Sequence, residues 1–373
     1  MGAVPEGLVR SALSHLQPYE PGKPVEEVQR ELGLDRVVKL ASNEGPFGPF
    51  PAALEAIARC ARELNRYPDG GAYRLRAELA ERHAVEFEEV AIGSGADGIV
   101  DTVSQALLDP GDEVVLGWPS FPSYAIYAVK AGARPVQVPL RDRRYDLDAL
   151  LDAVTSRTKI VYVCHPNNPT GTMNSRGELD AYFERVPADV LTVLDQAYFE
   201  YIEDTDYPDG IAEYFRAGRR VLVIRTFSKI YGLAGLRVGY GVGPAEVVTA
   251  LGKTRRAFDL TTPAHDAALA SLDAADELEH RRRLNADGRA ELARVLRAHG
   301  LQPAGHAVAN FLYADLGEDP QPFFDALLRQ GVIVRPLAGF GAPTAIRVTV
   351  GTPEEHAFFD EALRRVKAAS ASC

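Results

Sequence analysis

The chain has 373 residues, of which 46% are hydrophobic and 25% charged, and its formal net charge is −11. This is the composition of a folded globular protein long enough for a large and a smaller domain, and it excludes a disordered chain. The negative balance argues against non-specific attraction to nucleic acid or an anionic membrane, so any anion site must be built locally from a few basic groups.

Residues 1–40 contain no long apolar run and are interrupted by prolines, which predicts a partly ordered N-terminal arm rather than a secretory or membrane-spanning segment. Short β-rich apolar runs then recur at 90–92, 113–116, 133–140, 159–163, 190–194 and 221–224, separated by helical segments such as SYAIYAVKA. The alternation predicts an α/β domain with a mostly parallel central sheet over 41–250. Beyond 250 the texture changes: a charged helix is predicted near 273–297, then strands near 309–313, 332–334 and 346–350. These predict a smaller α+β domain, 251–373, closed by a helix that starts with proline and acidic residues and ends in basic ones. Cys60, Cys164 and Cys373 are widely spaced and without a nearby ligand pattern, so neither a disulfide framework nor a metal is expected, and a reducing cytoplasm is the natural setting.

Three predicted strands run into unusual polar endings: IVYVCHPNNPTG, VLTVLDQAYFEY and VLVIRTFSKIYGLAGLRVGY. Ligands of open α/β sheets collect beyond the carboxyl ends of the strands, so Asn168, Asp195, Tyr198, Ser228 and Lys229 are expected to converge on one cleft. That set matches the needs of a pyridine aldehyde with a phosphate handle. Lys229 would carry the aldehyde as a Schiff base and later shuttle a proton. Asp195 would keep the ring nitrogen protonated, while Asn168 and Tyr198 would donate to the phenolic oxygen. Lys229, Asp195 and Tyr198 are therefore the expected catalytic groups. Arg237, reached past Gly232 and Gly235, would turn back onto the phosphate beside Thr226 and Ser228. Gly95, Ala96 and Asp97, at the start of a helix, would add free amides for the same anion, and Phe121 would stack on the ring.

Each motif has a plainer reading when taken alone. Asp195 would then be a strand-end turn residue, Asn168 a turn former, Phe121 a core residue and Tyr67 an exposed loop aromatic. GSGADG at 93–98 also matches the GxGxxG of dinucleotide sites, but it does not open its domain and explains none of the later motifs. Only the joint occurrence of the segments selects the pyridine aldehyde.

Together KLASNEGPFGP, NRYPDGGAYRLRAELA, PNNPTG, LDQAYFEY and RTFSKIYGLAGLRVGY resemble the fold-type I, class I/II aminotransferases, and within them the histidinol-phosphate aminotransferase family, from about residue 18 to 366. The resemblance implies pyridoxal 5'-phosphate as cofactor and a homodimer with the active site at the subunit interface. It further implies that Tyr67 reaches the phosphate of the neighbouring subunit, that Arg335 and Arg347 bind the acidic groups of the substrate, and that Tyr19 and Asn43 lie beside it. The implied reaction moves an amino group from L-histidinol phosphate to 2-oxoglutarate, giving imidazole acetol phosphate and L-glutamate in histidine biosynthesis. Aromatic amino acid aminotransferases share the same segments and are the nearest alternative. A decarboxylase of a phosphorylated amino acid is a further one, and a non-catalytic regulatory domain is opposed by the lack of a preceding basic segment. The chain departs from the family pattern at Gly45, where NENPFG or NENPYG is usual, and at Gln196, where an acidic residue is common.

Overall fold

The computed structural model describes residues 7–14, 16, 18–19 and 21–371, the last two of these as backbone only; Cys373 lies outside the described residues. The chain first lays down β1 (Val38–Lys39) and then the seven strands of the main sheet. In chain order these are β2 (Val90–Gly93), β3 (Glu113–Trp118), β4 (Arg134–Pro139), β5 (Thr158–Cys164), β6 (Leu191–Asp195), β7 (Val221–Thr226) and β8 (Gly239–Val242). Their order in space is β2-β8-β7-β6-β5-β3-β4. Strands β3 to β7 pair in parallel, and β8 alone runs against its neighbours. Every residue of β6 and β7 is buried, which is why these strands appear in the sequence as unbroken apolar runs ending in polar residues.

The six predicted strands are all present. The antiparallel β8 was not predicted: GYGV carries no apolar run, and only its pairing with β2 and β7 makes it a strand. A second, smaller sheet comprises β9 (Phe311–Asp315), β11 (Arg335–Pro336) and β12 (Ala345–Thr349) in the order β11-β12-β9, all antiparallel. The short β10 (Val332–Ile333) pairs instead with β1. The predicted charged helix is Ala275–Ala298, and the closing helix is Pro353–Ala371.

Packing favours domain limits that differ from 40 and 250. Val28, Val38, Leu40 and Ala41 are buried with Leu292, Leu312, Ile333 and Phe359 in the core of the smaller unit, so residues 25–41 pack with the C-terminal part of the chain. The helix Thr262–Leu272, by contrast, buries Ala264, Ala267 and Ala268 in the core of the main sheet. Side-chain periodicity reveals that a helix has an apolar face but not which core that face joins. Among the described residues no helix is long and apolar enough to cross a membrane.

The turn after β7 depends on one glycine. Gly232 has φ +70°, and a Cβ there would lie 2.5 Å from the carbonyl oxygen of Gly48. Gly232→Ala should therefore lose at least ~2 kcal/mol of stability, because the left-handed backbone and the backbone clash add. A denaturant titration reads this directly; an unchanged midpoint would show that the segment around Gly48 yields freely.

Candidate active site

The carboxyl ends of β5, β6 and β7 and the start of the helix Gly95–Leu107 open on one cavity. From β5 and its following loop come Cys164 and Asn168; from β6 come Asp195, Ala197 and Tyr198; from β7 come Thr226, Ser228 and Lys229. Ala96, Asp97 and Arg237 line one part of the wall, Phe121 another, and Tyr19, Ser42, Asn43 and Arg347 complete it. Most residues expected at the site from sequence are thus brought together by the fold.

Asp195 is 5% exposed. Its Oδ1 accepts from the Ala197 amide at 3.0 Å and its Oδ2 from the Tyr124 hydroxyl at 2.6 Å. Burial raises its carboxyl to about 6, against the opposing pull of these two donors and of the Lys229 ammonium. Lys229 is shifted the other way. Burial, followed by the positive charge of Arg347, draws its amine down to about 8, and Glu44 partly offsets this. A lysine so placed supplies the neutral amine that bonding to an aldehyde requires.

Two donors for a phenolic oxygen are already oriented by other bonds. Asn43 donates its side-chain amide to the Tyr198 hydroxyl at 2.9 Å, so the phenol proton is left to point elsewhere. Arg347 donates to Oδ1 of Asn168, which leaves the Asn168 amide as a donor. Asn43 itself has φ 55° and is held from several sides: its amide reaches Thr349 Oγ1 at 3.0 Å, and its carbonyl accepts from Asn310 at 3.1 Å. Asn43, expected at the substrate, thus also orients Tyr198.

The anion cradle also fits. Ser94 makes no side-chain cap on the helix Gly95–Leu107, so its leading amides are left without that partner. Gly95 does not line the cavity but lies directly under Arg237: a Cβ on it would stand 2.7 Å from the Arg237 guanidinium. Arg237 sits at φ 55° and donates to Ser228 Oγ at 3.2 Å. A strained backbone holding a guanidinium beside free amides is a ready phosphate site.

Two expected residues lie elsewhere in the chain. Tyr67 is 80% exposed, stacked on Phe258 with ring centroids 4.5 Å apart, and does not line the cavity. Arg335 lies opposite Arg347 across β11 and β12 and lines an adjoining cavity, which shares Tyr19 with the first. Sequence reading missed Tyr124, Ser42, Asn310 and Thr349. For Tyr124 the available signal was its place three residues after Phe121 in SFPSY.

A buried lysine of lowered pKa, a buried carboxylate, two outward-turned donors and a helix-end anion cradle fit pyridoxal 5'-phosphate on a fold-type I scaffold. Comparisons with known proteins agree. The family described as "Aminotransferase class I and II" matches residues 35–365. A histidinol-phosphate aminotransferase 2 of Pseudomonas aeruginosa is 46% identical, over 97% of this chain and 98% of that protein. An aromatic amino acid aminotransferase of Streptomyces coelicolor is 44% identical, over 94% and 95%. Among solved structures, the histidinol-phosphate aminotransferase of Sinorhizobium meliloti in complex with pyridoxal-5'-phosphate superposes with a TM-score of 0.87 at 29% identity, covering 96% of this chain and 99% of that one. The chain belongs to the class I and II aminotransferases and is a pyridoxal-phosphate-dependent enzyme.

The lowered lysine has a measurable consequence in cofactor-free protein. With a pKa of about 8, roughly a tenth of the Lys229 amine is neutral at pH 7, against well under a thousandth for an ordinary lysine near 10.5. Its rate of modification by an amine-selective reagent should rise through a midpoint near pH 8 and level off above about pH 9. Peptide mass spectrometry would follow this; a rate still climbing through pH 10 would contradict the assignment.

Proposed function

We propose that the enzyme transfers an amino group between L-histidinol phosphate and 2-oxoglutarate, forming imidazole acetol phosphate and L-glutamate, as a cytoplasmic step of histidine biosynthesis. The observation that carries this reading is the pair Arg335 and Arg347, register partners on adjacent antiparallel strands, with Tyr19 beside both. One site must accept a carboxylate substrate and a phosphate substrate in turn, and two guanidinium groups on one sheet face supply two anion positions. Burial, chiefly, lowers Arg347 to about 10, still charged at neutral pH. The histidinol-phosphate relatives support the same choice.

When bound, the cofactor supplies an electron sink for the charge left on the substrate carbon. The side chains of this chain do the remainder. Lys229 Nζ takes the proton from that carbon, which its lowered pKa permits. Asp195 would hold the ring-nitrogen proton, and Tyr198 with Asn168 would donate to the phenolic oxygen. The Gly95, Ala96 and Asp97 amides with Thr226, Ser228 and Arg237 would hold the phosphate, and Phe121 would cover the ring.

A second reading, aromatic amino acid transfer, is favoured by the adjoining cavity. Trp118, Ile126, Phe324 and Phe340 give it an apolar wall beside Arg335. Steady-state kinetics separates the two: kcat/KM should favour histidinol phosphate over phenylalanine, and Arg335→Ala should lower the first value about 100-fold while changing the second less than about fivefold. A ratio favouring phenylalanine in the unmodified enzyme would sink the histidinol phosphate assignment.

We also propose a homodimer in which Tyr67 completes the phosphate site of the neighbouring subunit. Leu54, Leu64, Tyr73 and the stacked pair Tyr67 and Phe258 are exposed apolar side chains that such a partner would cover. Mixing Lys229→Ala with Tyr67→Ala subunits should then yield hybrids with one intact site and activity above the mean of the two parents. Activity equal to that mean would place Tyr67 outside the neighbour's site.

A further inference from the structure

The cavity contains two carboxylates, although it must receive a phosphate. Asp195 has a partner in the ring nitrogen; Asp97, in the first turn of the helix Gly95–Leu107, stands beside the anion cradle and would repel a phosphate held on its own amide. Each carboxylate accepts a phenol hydrogen bond from the same neighbouring helix, Ser123–Ala131. Tyr124 donates to Asp195 Oδ2 at 2.6 Å, and Tyr127 donates to Asp97 Oδ2 at 2.7 Å. The two tyrosines are three residues apart and therefore lie on one helical face.

Neither hydroxyl is needed for packing. Tyr124 is fully buried, its ring parallel to Tyr162 at 4.4 Å and edge-on to Phe121 at 5.5 Å, contacts that a phenylalanine would keep. Tyr127 is half-buried, with the Lys130 ammonium 4.4 Å above its ring. Burial and the facing carboxylates push both phenols upward, so both remain protonated donors at neutral pH. Asp97 Oδ1 is buried and has no hydrogen-bond partner among the described residues, so the Tyr127 bond is what fixes that side chain.

We propose that Tyr124 and Tyr127 are paired positioning residues: Tyr124 aims the Asp195 carboxylate at the ring nitrogen of the cofactor, and Tyr127 holds the Asp97 carboxylate aside from the phosphate. The proposal rests on the assignment of Asp195 and of the 95–97 amides made above. It separates two parts of one ligand. Tyr124 acts on the ring, which pyridoxal shares with pyridoxal 5'-phosphate; Tyr127 acts on the phosphate, which pyridoxal lacks.

The test is equilibrium binding of pyridoxal 5'-phosphate, pyridoxal and inorganic phosphate to full-length protein stripped of cofactor. Tyr124→Phe should weaken both pyridoxal compounds about tenfold, the usual scale for a hydrogen bond to a charged group. Tyr127→Phe should weaken pyridoxal 5'-phosphate and inorganic phosphate about tenfold and leave pyridoxal within twofold. In an Asp195→Asn background the effect of Tyr124→Phe should vanish, and in an Asp97→Asn background that of Tyr127→Phe should vanish. Equal weakening in both backgrounds, equal loss of both pyridoxal compounds in Tyr127→Phe, or no loss in either variant overturns the proposal. Should Tyr124→Phe not fold, the half-buried Tyr127 decides by itself, since a loss not confined to phosphate-bearing ligands would still refute it. If Asp195→Asn itself left pyridoxal binding intact, the fault would lie with the site assignment instead.

Discussion

The site depends on keeping a carboxylate charged where water is almost absent. A 5% exposed Asp195 would by burial alone become a neutral acid, and a neutral acid cannot hold a protonated ring nitrogen. Two donors, the Ala197 amide and the Tyr124 hydroxyl, and the charge of Lys229 oppose that tendency. The same burial that threatens Asp195 serves Lys229, since it lowers the pKa of an amine that must lose its proton to react. One low-dielectric cavity thus moves an acid up and a base down, and the hydrogen bonds to Asp195 keep the first shift from going too far.

The architecture supplies this cavity through parallel strands. Because β5, β6 and β7 run in one direction, their carboxyl ends fall side by side, and residues distant in sequence meet without long loops. The sequence showed this clearly, since buried parallel strands are apolar throughout and their polar endings stand out. It was less informative wherever an element takes its character from its neighbours. GYGV becomes β8 only through pairing on both sides, and residues 25–41 join the smaller core only because Val28, Val38 and Leu40 meet Leu292 and Ile333 there. Tyr124 was hidden for a similar reason: a tyrosine in a helix among other aromatics is indistinguishable from core until its hydroxyl is seen on Asp195.

The departure at Gln196 is absorbed inside the protein. The guanidinium of Arg225, 2% exposed on β7, donates to Gln196 Oε1 at 2.9 Å and to Asp209 Oδ1 at 2.7 Å, and lies 3.4 Å over the ring of Phe199. A buried arginine needs an anion, and a glutamine cannot be one. Asp209, which also caps the following helical turn through the Ile211 and Ala212 amides, carries that charge here. Glu200 stands near enough to contribute, yet burial lifts its carboxyl to about 7, which makes it a weaker anion than Asp209. The amide at 196 instead spends its second function on the Pro208 carbonyl at 2.9 Å, tying the loop that bears Asp209 to the strand that bears Asp195.

That arrangement keeps the substitution behind the cavity, whose lining includes Asp195 and Ala197 but not Gln196. Arg225 precedes Thr226, and Gln196 follows Asp195, so the buried pair lies one residue from the proposed phosphate ligand on one strand and one residue from the proposed ring-nitrogen partner on the next. Side chains alternate across a strand, so the pair occupies the face opposite the cavity. The bonds of Arg225 to Gln196 and Asp209 tie β7 to the end of β6 and to the loop beyond it, behind the cavity. An acidic residue at 196 would bring Arg225 a second anion; with glutamine there Asp209 carries the counter-charge, and on that face either side chain points away from the cavity.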